Sequence, residues 1–106
     1  MGKNIFVIHS KGLTDKAVEL AEDLISKGHE VYVPGIRTPQ DTDELTISIT
    51  NRDAMRKADE VVIIWDGTSH GAIFDLGMAF AMGKKIKLHY YIKKSMGRLM
   101  ELLSAE

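Results

Sequence analysis

Short apolar runs, separated by stretches of helical periodicity, constrain this chain more than any other feature. Ile5-Phe6-Val7-Ile8 and Val61-Val62-Ile63-Ile64-Trp65 are β-rich and apolar throughout, and Val31-Tyr32-Val33 is a short second strand closed by Pro34-Gly35. Residues 86–92 alternate instead, with Ile86, Leu88, Tyr90 and Ile92 set against Lys85, Lys87, His89 and Tyr91. Between the first two runs, Ala17, Leu20, Ala21, Leu24 and Ile25 fall at helical spacing, with Thr14 as the expected N-cap and Gly28 as the stop. Ile47, Thr50, Ala54 and Ala58 make a second stripe over about 46–57, and a third helix is expected from Gly71 to Met82, ending before Gly83. Ser95 stands where it can cap a last helix bearing Met96, Leu99, Met100, Leu102 and Leu103. Residues 34–45, polar and turn-rich, form the longest irregular stretch.

This strand–helix alternation calls for an α/β fold, a parallel sheet with helices on both faces. Runs 5–8 and 61–65 are apolar on both faces and belong at the centre; the short run 31–33 and the alternating run 86–92 belong at the edges. Right-handed crossovers then give the order 2-1-3-4 in a sheet of four or five strands, with a switch point between the first and third. Ligands bind such sheets beyond the C-terminal strand ends at that crevice. The site is therefore expected among His9-Ser10-Lys11-Gly12, residues 66–71 and the helix that follows.

A chain of 106 residues supports one domain, spanning 1–106. Fourteen Lys plus Arg against fifteen Asp plus Glu leave a net charge of −1, which lacks the basic excess of a nucleic-acid binder. The absence of cysteine removes disulfides, thiolate metal sites and cysteine nucleophiles, and suits a reducing compartment. No run approaches the roughly 20 apolar residues that cross a bilayer, and Met1-Gly2-Lys3-Asn4 leads into a strand without a signal core. A cytoplasmic protein with no membrane or nucleic-acid partner is expected.

Asp75 is the only charged side chain between Gly71 and Gly83, amid Ile73, Phe74, Leu76, Met78 and Phe80. A helix apolar on nearly every side is buried in its own domain or in a subunit interface, and a carboxylate there is expensive unless paired or used. Asp66 closes the third strand at the switch point, a position that favours contact with a ligand over the turn-forming role that an Asp before Gly67 commonly has. Gly67-Thr68-Ser69-His70-Gly71 precedes a helix N-terminus, whose free N–H groups and hydroxyls can hold an anion. It is neither a Walker A loop nor a GxGxxG fingerprint. His9, Ser10 and His70 flank the crevice and can touch ligand, whereas His29 and His89 read as surface residues. The histidines show no metal-ligand spacing, so neither a metal nor another cofactor is expected.

The stretch from Ala58 to Lys84, ADEVVIIWDGTSHGAIFDLGMAFAMGK, resembles the signature of the nucleoside 2-deoxyribosyltransferase superfamily. Asp66-Gly67, Asp75-Leu76-Gly77, Ala79 and Gly83-Lys84 match its motif positions, and Gly28-His29-Glu30-Val31-Tyr32-Val33-Pro34 also suits its small members. The resemblance implies a flavodoxin-like three-layer α-β-α sandwich. It also implies cleavage or transfer at the N-glycosidic bond of 2′-deoxyribonucleosides or their 5′-monophosphates.

By that resemblance Asp75 is the nucleophile that attacks C1′ of the sugar, in the two-step logic of retaining glycosidases. Asp66 orients the nucleoside and helps protonate the leaving base. Ser69 stands where nucleoside transferases carry Asp and nucleotide hydrolases carry a phosphate-binding Ser, which favours a 5′-monophosphate. Its neighbours Gly67, His70 and Gly71 complete the expected ligand loop. The chain departs from the family in carrying Asp75 where the enzymes have Glu, and in the loop His9-Ser10-Lys11-Gly12. A non-catalytic nucleotide-binding or sensing module of the same fold is the alternative. Related enzymes are dimers or larger, so a homodimer or higher homo-oligomer is expected.

Overall fold

The computed structural model describes residues 2–92 and 96–105. Strand β1 (Asn4–His9) passes through a short 3-10 turn, Lys11–Leu13, into helix α1 (Thr14–Ser26), and β2 (Glu30–Tyr32) leads to a single helical turn, α2 (Pro34–Arg37). Helix α3 (Glu44–Arg56), β3 (Glu60–Trp65), α4 (His70–Ala81), β4 (Lys85–Tyr91) and α5 (Met96–Ser104) follow. The four described strands form one parallel sheet in the order β2-β1-β3-β4, with the two wholly apolar runs at its centre as expected.

The pleat of the central strands divides the core. Phe6, Ile8 and Val61 pack with Met55, Ala58, Ala72 and Ala79 beneath α3 and α4. Val7 and Ile64 point the other way, against Ala17 and Ala21 of α1 and Val33. These two layers on either face of the sheet give the α-β-α sandwich.

Local detail departs from the sequence expectations at several places. Thr14 does not cap α1: its hydroxyl donates to the Lys11 carbonyl at 2.8 Å and the residue is already helical. Helix α3 begins at Glu44 rather than near Thr46, because the Asp43 carboxylate accepts the Thr46 N–H at 2.7 Å and satisfies a first-turn donor. Pro34, whose φ is preset for a helix start, opens a turn inside the stretch read as irregular. The register between β3 and β4 shifts between Ile63 and Ile64, so that Leu88 pairs with Ile63 and Tyr90 with Ile64, and Leu88 is left exposed. The proposed cap Ser95 lies outside the described residues.

At the opening end of the sheet, the buried Glu60 carboxylate takes Lys3 Nζ at 3.2 Å on one oxygen and Lys87 Nζ at 3.0 Å on the other. Burial alone would raise this carboxyl; the bonds from Lys87 and Lys3 outweigh it and hold it below the usual glutamate range. A lowered folded-state value means that the pair stabilises above the unfolded value and loses that contribution as pH falls through the folded one. Glu60→Gln is expected to lower stability by about 1–3 kcal/mol near neutrality. Thermal melts of parent and variant should converge as pH drops below about 4.

Candidate active site

All strands run the same way, so the loops after β1, β2 and β3 meet at one edge of the sheet and enclose a cleft of about 380 Å³. His9, Lys11 and Thr14 line it from the β1 side, Pro34, Gly35 and Gln40 from the β2 side, and Ile47 and Asn51 from α3. Ser69, Gly71, Ala72 and Asp75 supply the β3–α4 wall. A second concavity of about 280 Å³, walled by Asn4, Glu30, Tyr32, Arg37 and Lys57 among others, takes in none of the candidate residues.

Asp75 sits in the second turn of α4, half-buried on the cleft wall. Burial pushes its carboxyl up to about 6. Loss of solvent among the apolar neighbours is the cause. The group still ionises below neutral pH, and its anion lies in a poorly solvated place. That combination suits a nucleophilic carboxylate.

Ser69 is the N-cap of α4, its Oγ accepting the Ala72 N–H at 3.4 Å and its carbonyl accepting the Trp65 indole N–H at 3.1 Å. Ser69 and Asp75 therefore share the cleft, joined by the first turns of one helix. Gly71 lines the cleft beside them.

Asp66 behaves differently. Its Oδ1 accepts from Thr68 N–H at 2.8 Å, Ser69 N–H at 2.8 Å and Thr68 Oγ at 3.1 Å, and the residue is not among those lining the cleft. The backbone N–H groups of Thr68 and Ser69 hold its carboxyl below the usual range. Gly67, at φ +87°, supplies the left-handed step that brings those amides back onto the carboxylate. In this geometry Asp66 organises the loop, and a carboxylate kept ionised by three donors is a poor proton source for a leaving group. Ser10 is wholly buried, and its Oγ accepts the Asp66 N–H at 2.9 Å, pinning the end of β3 to that of β1. Neither Gly67 nor His70, the exposed first residue of α4, lines the cleft.

His9 does line it, with both ring nitrogens engaged. Nδ1 lies 3.1 Å from the Ser10 carbonyl, and Nε2 accepts the Gly35 N–H at 2.9 Å. A carbonyl can only accept, so the proton is on Nδ1 and the ring is neutral. Burial lowers its pKa and outweighs the opposing bond to Ser10. The ring thus ties the β2–α2 turn to the end of β1. A Cβ on Gly35 would lie 2.7 Å from His9 Cε1 and 3.0 Å from Thr14 Cγ2. Gly35→Ala is expected to cost about 1–3 kcal/mol through overpacking, visible as a lowered Tm.

Lys11, from the expected stretch His9-Ser10-Lys11-Gly12, lines the cleft, as do Gln40 and Asn51, which the sequence does not single out. A mid-helix Asn four residues beyond Ile47, in an otherwise apolar stripe, was the one available signal. Among the described residues no cluster of His, Asp or Glu could hold a metal ion, and no helix is long and apolar enough to cross a membrane.

A sequence model of the family described as nucleoside 2-deoxyribosyltransferase matches residues 2–103. No curated protein sequence matches the chain. Among solved structures, a 2-desoxiribosyltransferase from Leishmania mexicana superposes with TM-score 0.69 at 18% identity over 83% of this chain. This chain spans 64% of that enzyme's length. The 2-deoxyribosyltransferase of Bacillus psychrosaccharolyticus superposes with TM-score 0.63 at 19% identity, over 82% of this chain and 72% of its own. A CMP N-glycosidase of Clostridium botulinum gives TM-score 0.57 at 22% identity, covering 98% of this chain and 100% of its own.

Proposed function

Because the chain belongs to the nucleoside 2-deoxyribosyltransferase family, we propose that it breaks or transfers the N-glycosidic bond of a deoxynucleoside 5′-monophosphate. The observation that carries this reading is Asp75, a cleft-lining carboxylate raised to about 6 by burial and still ionised at neutral pH. Its oxygen attacks C1′ as the bond to the base breaks, giving a glycosyl ester. Water or a second base then attacks C1′ and restores the carboxylate. Ser69 and the N–H groups at the start of α4 receive the 5′-phosphate, with Lys11 on the facing wall. Asp66 serves by fixing the loop that presents Ser69, not by giving up a proton. His9 shapes the wall as a neutral tie. Residues 1–106 act as one catalytic domain in the cytoplasm, on a small ligand and without a metal or organic cofactor.

The active species is a homodimer formed through the outer face of α4. Ile73, Phe74 and Phe80 are exposed there, and an apolar hollow lined by Ile63, Trp65, Leu76, Leu88 and Tyr91 lies beside them. Monomers rarely leave so much contiguous apolar surface in water.

The direct test is to incubate the protein with each deoxynucleoside 5′-monophosphate, and with the unphosphorylated nucleosides, and measure free base by chromatography. Release from the phosphates, with little from the nucleosides, is expected. Binding of a nucleotide with no release under any condition would leave the non-catalytic module as the better description.

A further inference from the structure

The α3 wall of the cleft contains a hydrogen-bond chain whose direction is set by proton count. Thr38 Oγ donates to Asn51 Oδ1 at 2.6 Å, and Tyr32 Oη lies 2.7 Å from the same Thr38 oxygen. A threonine hydroxyl has one proton, already given to Asn51, so it must accept from the Tyr32 O–H. Thr38 is 3% exposed and Asn51 7%, so water does not compete with the chain. It occupies the Asn51 carbonyl oxygen and turns the amide nitrogen away from Thr38. That nitrogen makes no bond within the described residues, yet no buried side-chain nitrogen or oxygen among them lacks a partner. The nitrogen therefore reaches open space, and the space Asn51 lines is the cleft it shares with Asp75.

We propose that Asn51, oriented by the Tyr32–Thr38 chain, donates from Nδ2 to an acceptor of the departing base beside the glycosidic nitrogen: O2 of a pyrimidine or N3 of a purine. The inference rests on the nucleotide reading of the cleft. As the Asp75 oxygen bonds to C1′, the C1′–N electron pair passes to the base and spreads onto that acceptor. A neutral N–H donor stabilises this charge more in the transition state than in the ground state. Asn51 transfers no proton: the released base takes one from water, and the water that hydrolyses the glycosyl ester gives its OH to the sugar and its proton to solvent. Asp66, tied into its loop, leaves this role open. Tyr32 and Thr38 are positioning residues; Asn51 is the group that touches the base.

The test compares kcat, KM and Tm for the parent, Asn51→Asp, Thr38→Val and Thr38→Ser, on whichever deoxynucleoside 5′-monophosphate the parent cleaves fastest. At pH 8 an Asp at position 51 can still accept from Thr38 but offers the cleft no donor, and kcat is expected to fall about 10–100-fold. Thr38→Val frees the amide to turn and should lower kcat about 3–10-fold, with KM changed less. Thr38→Ser, which keeps the hydroxyl, should restore kcat whatever its Tm; this separates positioning from bulk stability. A parent-like kcat for Asn51→Asp at pH 8, or for Thr38→Val, overturns the inference and leaves the proposed function standing. If the parent binds a nucleotide without cleaving it, affinity by calorimetry takes the place of kcat: tenfold weaker binding by Asn51→Asp supports the contact and unchanged affinity overturns it. A parent that neither cleaves nor binds any of these nucleotides overturns both readings.

Discussion

Asp75→Asn is expected to reduce base release by at least about 10³-fold, since it removes the atom that forms the covalent intermediate while keeping the shape of the side chain. Single-turnover assays with radiolabelled deoxynucleotide will check this. In the parent, kcat/KM should rise with pH through about 6 and level off above it, because the carboxyl must lose its proton to attack. The stability effect has the opposite sense. The unfolded chain releases this proton near the ordinary Asp value, whereas the folded chain holds it to about 6. Folding therefore loses free energy as pH rises between those values, and the penalty persists above them. Asp75→Asn abolishes that cost and should stabilise the protein at pH 7 by on the order of 1–2 kcal/mol, with little effect at pH 3.5. Asp75→Glu extends the reach by one methylene; if the short side chain limits the reaction, turnover should rise, by up to about 10²-fold per ångström of improved placement. Equal base release by the parent and Asp75→Asn would refute the mechanism while leaving the fold untouched.

The second large effect concerns assembly. Phe80 is 79% exposed and Phe74 60%, on the face of α4 that points away from the sheet. A dimer burying at least about 1,000 Å² in total would cover them. Phe80→Glu places a charge at such an interface and is expected to weaken association by about 2–4 kcal/mol, enough to yield monomers at low micromolar concentration. Sedimentation velocity on parent and variant reads this directly. Circular dichroism should remain parent-like, because Phe80 is largely exposed and belongs to neither core cluster. A parent that sediments as a monomer at high micromolar concentration would count against the dimer.

Strand order was legible because it depends on the chemistry of both faces. Phe6 and Ile8 face α3 and α4 while Val7 faces α1, so only a central strand is apolar at every step. The helix bearing Asp75 was legible for a related reason: one carboxylate among aliphatic and aromatic side chains stands out in any register. Asp66 was not legible in the same way. A strand-end Asp before Gly looks identical whether its oxygens face a ligand or fold back onto Thr68 and Ser69. The difference arises only once Gly67 takes a positive φ and the amides converge. Asn51 was harder still, since its partner Thr38 lies thirteen residues away, across the α2–α3 connection. The start of α3 was misjudged because Asp43 looks like any other acidic residue of a polar stretch until its carboxylate meets the Thr46 amide.

The loop that Asp66 ties down also bears on the thermodynamics of binding. Thr68 and Ser69 are held by their own amides, and Ser10 anchors the backbone from the neighbouring strand before any ligand arrives. Little chain entropy remains to be lost at the α4 side when a nucleotide docks, so calorimetry should return a small unfavourable entropy and a modest heat-capacity change. Asp66→Ala would shift that balance: the loop would have to order as the ligand enters, and the entropic penalty would grow even where the contacts formed are the same.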